Sequence, residues 1–253
     1  MSPIAIGLVV LVCVFGGALL GMFLSTVLPE HHLSEGVKDV VKLVTGLIAT
    51  LAALVLGLLV ASGKNSFDTA NEGFRQSAAR VILLDRTLAQ YGPETKDVRE
   101  WLRKGFAARI DQLFPKDPSQ RSSLGAAEGT AALEGFVQRL RALSPQTDAQ
   151  RALQSRALEI VDSIIQARWM AIEEQENTIP TPFLVVLILW LAAMFASFGL
   201  FAPRNAIAIA VLFLGALSLS GAIFLIEELN DPLGGIISIS RAPMDRALGF
   251  IGK

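Results

Sequence analysis

Few side chains in this sequence are spaced to do chemistry. His31 and His32 stand between Glu30 and Glu35, an imidazole and carboxylate set of the kind that holds zinc or a similar divalent ion. Neighbouring residues on a regular helix or strand point in different directions, however, and no cysteine is near. A polar loop between helices is the better reading, and no metal site is assigned. Repeated around an oligomer axis, the same histidines would sense pH, because an unperturbed imidazole titrates at about pH 6.5. Glu227, Glu228 and Asp231 form a second group at the end of an apolar run. They are either solvated residues that terminate the run or an acidic ring that concentrates cations.

The remaining chemistry is thin. The sequence contains no phosphate-binding loop, nucleotide-binding glycine pattern, histidine-based hydrolytic motif or clustered metal-ligand motif, so neither an enzyme nor a cofactor is expected. A formal net charge of −1 provides no basic footprint for nucleic acid. Cys13 is the one cysteine, which excludes an intrachain disulfide.

Composition points to the bilayer. Of 253 residues, 52% are hydrophobic and 18% charged, and mean hydropathy is +0.52. That is too apolar for an ordinary soluble domain. A span needs roughly 20 apolar residues, and stretches 3–28, 40–62, 183–202 and 206–226 meet that length. The first lacks the basic segment of a signal peptide and exceeds the usual length of its apolar core, so it is read as a retained helix. The expected fold is an all-α integral membrane protein, with four transmembrane helices and a helical cytoplasmic insert. Its parts are residues 1–62 (two spans), 63–178 (insert), 179–230 (two spans) and 231–253 (tail). Lys64, Arg75, Arg80, Arg168, Arg241 and Arg246 mark one side of the membrane, against Lys38, Lys42 and Arg204 on the other. The positive-inside rule therefore puts the insert and both termini in the cytoplasm.

Helical periodicity continues past the second span. Phe67, Phe74, Val81 and Leu88 recur every seven residues, interleaved with Ala70, Leu84 and Tyr91, with Ser77 as a polar exception. The implied helix over 40–91 is about 75 Å long at the standard rise. It ends at Gly92-Pro93. Its heptad stripe needs a cover, from symmetric copies or from the chain's own later helices. Those are expected at 94–114, with Val98, Leu102, Phe106, Ile110 and Leu113 on one face, at 126–143, and from Thr147, where Gln150 completes a capping box. The sequence "RAPMDRALGFI" reads as a short amphipathic helix, on the membrane or on the cytoplasmic bundle.

Two stripes run along the second span. Ala49, Ala53, Gly57 and Ala61 form a small-residue stripe within about 120°, open to close approach by another backbone. Gly17 and Gly21 of the first span have the same spacing and make that helix a natural partner. Leu47, Leu51, Leu54 and Leu58 form the bulky stripe beside it. It either packs the bundle and meets lipid or, with copies surrounding an axis, forms a dry constriction that gates by dewetting.

Two motifs carry a resemblance. "GLIATLAALVLGLLVAS" with "LDRTLAQYGPE", and "EELNDPLGG" after the last span, resemble the bestrophin-like membrane proteins, as does the order of two helices, a helical insert, a helix hairpin and a tail. The resemblance implies a pentameric ion channel of the bacterial cytoplasmic membrane, partnered by lipid, by its own copies and by a permeant ion. Aligned on "VLGLLV", the family's apolar neck falls on Thr50, Leu54 and Leu58, where Thr50 departs by being polar and no ring is aromatic. In the second motif Asp231, Pro232 and Gly234 match and Leu233 replaces Phe. The longer acidic calcium clasp of eukaryotic members is missing, so calcium gating of that kind is not expected. The rival reading is a non-conducting scaffold or sensor whose insert binds another protein.

Overall fold

A computed structural model describes residues 2–27, 35–115, 126–176 and 181–253. Glu30, His31, His32 and the Glu35 side chain lie outside the described residues, as does most of the polar loop after Phe114. The described residues form α1 (Pro3–Val27), α2 (Glu35–Tyr91), α3 (Lys96–Leu113), α4 (Ala126–Arg141), α5 (Asp148–Glu176), α6 (Thr181–Phe201), α7 (Ala206–Asn230) and α8 (Ala242–Phe250), with a 3-10 turn at Pro93–Thr95. Helices α1, α2, α6 and α7 are long and apolar enough to cross a membrane. The fold is thus all-α and membrane-spanning. By contact, the chain divides into a unit of Met1–Phe67, Thr178–Asp231 and Gly235–Ile237 and a second of Asp68–Asn177, Pro232–Gly234 and Ser238–Lys253.

In the first unit, Val10, Val14 and Ala18 of α1 are buried with Leu187 and Leu191 of α6, Ala216 and Ile223 of α7, and Ala52 and Leu59 of α2. Lipid is as apolar as these side chains, so close packing and polar contacts must hold the helices together. The α1–α6 crossing supplies both the closeness and its cause. A Cβ on Gly17 would sit 2.7 Å from the Ala192 carbonyl oxygen, and Cβ atoms on Gly21 and Gly199 would overlap the carbonyls of Ala196 and Ala18. Gly17 and Gly21 of α1 therefore seat on α6, rather than on the small stripe of α2. Between α7 and α1, the buried Ser220 hydroxyl donates to the Gly7 carbonyl at 2.6 Å.

In the second unit, the heptad stripe of α2 is covered by the chain's own helices. Leu84 and Leu88 are buried with Val98 of α3, Phe136 and Leu140 of α4, and Ala157 and Val161 of α5. Ala78 and Val81 pack with Phe106 and Ile110 of α3 and with Met244, Ala247 and Ile251 of the tail. Helix α8 accordingly lies on the helical bundle, which settles the two placements its amphipathic pattern allowed. At the start of α5 the Thr147 hydroxyl accepts from the Gln150 backbone N–H at 3.2 Å. The reciprocal bond runs from Gln146 N–H to Gln150 Oε1 at 2.8 Å, one residue further back than a capping box requires.

Because a side chain at Gly21 would meet backbone, Gly21→Val should lower stability by about 3 kcal/mol. Gly16, whose Cβ would meet nothing within 4 Å, should tolerate the same change within about 0.5 kcal/mol. Unfolding of the two variants in mixed detergent micelles checks the difference.

Candidate functional site

Helix α2 is continuous for 57 residues, against the roughly 20 that a single span needs. Its membrane segment packs by one face only. Thr45, Ala52 and Leu59 are buried there at seven-residue spacing, Ala49, Val55 and Leu56 pack beside them, and Gly63 lies against the Ile226 carbonyl of α7. At about 100° per residue, Thr50, Leu54 and Leu58 fall within an arc of about 80° on the side turned away from Ala52 and Leu59. They are unburied by the chain: Leu54 is 71% and Leu58 68% exposed, Leu43 and Leu47 likewise stand out, and Thr50 is open. Of the small stripe, Ala49 is partly buried, whereas Ala53, Gly57 and Ala61 are exposed, and a Cβ on Gly57 would meet nothing within 4 Å. A soluble protein would not leave such a row of leucines bare. In the bilayer it can meet lipid, another copy or a dry axis.

Thr50 interrupts that apolar face without exposing a free proton. Its hydroxyl donates to the Gly46 carbonyl at 2.9 Å, a bond within its own helix of the kind threonine often makes.

The acids after α7 are not equivalent. Glu228 is 3% exposed, and its Oε1 accepts from the Ile236 backbone N–H. A Cβ on Gly235 would come within 2.6 Å of that same oxygen, so a larger residue there would push the carboxylate aside. Gly235 N–H also donates to the Asp231 carbonyl at 3.2 Å, and Ile239 N–H to the Pro232 carbonyl at 2.9 Å. Glu228 is thus turned inward to hold the chain leaving the helix, while Asp231 is exposed and Glu227 half-buried. Of the three acids the sequence groups together, Glu228 is therefore not solvated. Among the described residues, no group of three or more His, Cys, Asp or Glu could hold a metal ion.

The "LDRTLAQYGPE" stretch also builds structure. Gly92 takes φ 136°, a left-handed conformation costly for any side chain. The Thr95 hydroxyl lies 2.6 Å from the Leu88 carbonyl and 2.8 Å from that of Gly92, and Gln150 Nε2 donates to the Tyr91 carbonyl at 3.1 Å. Asp85, 1% exposed, accepts from Arg99 Nε and Nη2 at 2.8 and 2.9 Å. Its Oδ1 also accepts from Gly252 N–H at 3.3 Å, while Arg99 Nη2 reaches the Lys253 carbonyl at 2.9 Å. The Asp85 hydrogen bond holds the Arg99 guanidinium charged, raising its pKa despite burial. Elsewhere in this unit, burial and then the neighbouring Arg168 charge pull Arg109 below the usual arginine range. Sequence reasoning missed the Asp85–Arg99 pair. Its signal was a carboxylate beside Leu84, inside the apolar stripe.

These features define a class: an α-helical integral membrane protein with one long helix that leaves an apolar face uncovered. A family model described as the Bestrophin-like domain matches residues 12–244, and the chain belongs to that family. Among solved structures it is similar to a point variant of a bacterial bestrophin homolog from Klebsiella pneumoniae, at 16% identity and a TM-score of 0.63, over 94% of this chain and 97% of that one. The homolog solved by Zn-SAD phasing matches at 17% identity and a TM-score of 0.60, over 92% and 95% of the two chains. At that identity the likeness shows the fold. Comparison with curated proteins gives no match.

Replacing Asp85 with Ala would strand a largely buried guanidinium and release the tail's anchor. We expect a loss of about 3 kcal/mol, together with faster proteolysis of residues 239–253, read by thermal unfolding and limited digestion.

Proposed function

We propose that this chain is one subunit of a ring-shaped homo-oligomer that conducts ions along an axial path lined by α2, with Thr50, Leu54 and Leu58 at its narrowest part. The observation that carries the reading is the face of α2 opposite its packed side: apolar, unburied and presented by a helix too long to serve only as an anchor. One copy contributes four spans, too few to enclose an aqueous path, so the reading requires several copies. Five follows from the bestrophin resemblance.

The sequence along the same strip supports a path from dry to wet. At the helical twist, Asn65, Asp68, Glu72 and Arg75 follow Leu54, Leu58 and Ala61, and all are exposed. Ions leaving a leucine constriction would then meet polar and charged side chains of both signs, which restore hydration. From Phe74 onward the heptad stripe has no part in assembly under this reading, because α3, α4, α5 and α8 already cover it. The excess of Lys and Arg beside residues 63–178 and 231–253 favours a cytoplasmic location for these segments and for both termini, in a bacterial inner membrane.

Native mass spectrometry in mild detergent should give a single oligomer, with five copies expected. In planar bilayers, Leu54→Ala and Leu58→Ala should each raise unit conductance about twofold or more by widening a dewetted constriction. Unchanged conductance and open probability in correctly assembled variants would remove the pore assignment.

A further inference from the structure

We propose that the groove between α2 and α6 beside Lys42 and Thr45 binds one membrane lipid, a phosphatidylethanolamine. Its phosphate meets Lys42, a glycerol ester carbonyl meets the Thr45 hydroxyl, and an acyl chain lies against Ala49 and Phe198. The site rests on the membrane-spanning fold and not on the pore reading.

The groove holds about 190 Å³, with Lys42, Thr45, Gly46 and Ala49 on one wall and Ser197 and Phe198 on the other. One turn of α-helix, about 10 Å wide and about 5.4 Å in pitch, fills about 420 Å³. The space suits a single hydrocarbon chain better than a helix of a second copy. A Cβ on Gly46 would meet nothing within 4 Å, so the missing side chain adds to the room.

Polarity along the groove is ordered. Lys42 is the last charged residue before the uncharged run 43–63, and helical side chains lean toward the N-terminus of their helix, so its ammonium stands on the water side. Thr45 lies about 4.5 Å further along the axis and is 7% exposed. A threonine or serine within a helix can give its proton to a carbonyl one turn back, as Thr50 does to Gly46 and Ser197 to Ala193. Among the described residues Thr45 makes no such bond. A buried donor thus borders the groove without an acceptor, which costs free energy until a ligand supplies one. In a glycerophospholipid the ester carbonyls accept hydrogen bonds and lie one glycerol unit inside the phosphate, the same order as Thr45 and Lys42.

Asp39 selects the headgroup. It stands 3.4 Å from the Lys42 ammonium, and both side chains are largely exposed, so their mutual attraction is weak and leaves both able to bind. The phosphate and ammonium of phosphatidylethanolamine match the pair in sign. Phosphatidylglycerol brings the phosphate alone, which Asp39 repels.

The test is native mass spectrometry of the full-length chain, delipidated in detergent and titrated with equal amounts of phosphatidylethanolamine and phosphatidylglycerol bearing the same acyl chains. The unsubstituted protein should retain phosphatidylethanolamine about threefold better, and Asp39→Asn should erase that preference. The isosteric Thr45→Val should weaken retention about three- to tenfold, and Gly46→Leu, which fills the groove, should remove the bound lipid. Equal retention of the two lipids by the unsubstituted protein overturns the headgroup assignment. Retention unchanged in both Thr45→Val and Gly46→Leu overturns the site. If Gly46→Leu alters only the number of copies per particle, the groove is a contact between copies and the proposal is overturned.

Discussion

Helix α1 can lie against α6 at backbone distance because Gly17, Gly21 and Gly199 carry no side chain at the crossing, and this contact sets the terms for the rest of the membrane unit. With hydrocarbon on the outside, no hydrophobic gain pulls the helices together, so the tightest crossing takes the structural burden. Helix α2 is then held by a narrower surface, Thr45, Ala52, Leu59 and Gly63 with their neighbours. Its remaining circumference is left for something outside the chain. An exposed leucine row and a glycine at position 57 with open space around it are what a helix suited to external contacts would carry.

The charged residues follow a related logic. Glu228 stands out in the sequence and Asp85 does not, yet both are spent on chain geometry. Glu228 fixes the turn that leaves α7, and Asp85 joins α2 to α3 and to the tail through Arg99 and Gly252. A buried carboxylate with directional donors specifies a single arrangement even where its net contribution to stability is small. This explains why two of the stretches that resemble the bestrophin family, "LDRTLAQYGPE" and "EELNDPLGG", are turns and clasps. They preserve the fold, and whatever discrimination the protein achieves must come from side chains on uncovered surfaces.

Spans, the length of α2 and the helices of the insert were legible because hydropathy and heptad spacing follow directly from which faces avoid water. The partner of each face was not. Two stripes on one helix, small and bulky, are equivalent in sequence until the neighbouring helices are placed, and the shared spacing of Gly17, Gly21 and the α2 stripe suggested a pairing that α6 in fact provides. Heptads likewise say that a stripe needs a cover without saying whether it comes from the same chain. The inward turn of Glu228 is met by a backbone N–H eight residues later, and the pairing of Asp85 with Arg99 and Gly252 spans 14 and 167 residues. Separations of that kind leave no periodic trace.

The position of the tail also has a consequence for biosynthesis. Met244, Ala247 and Ile251 complete a core whose other side, Ala78 and Val81, is translated far earlier. Asp85 and Gly252 are separated by 167 positions in the chain. Ribosomes add roughly 5–20 residues per second, so Gly252 follows Asp85 by about 8–33 s. During that interval two further helices must enter the membrane while an apolar surface on the emerging helical bundle stays unfinished. The nascent chain therefore passes through a defined window of vulnerability to aggregation and proteases, closed only when the tail docks.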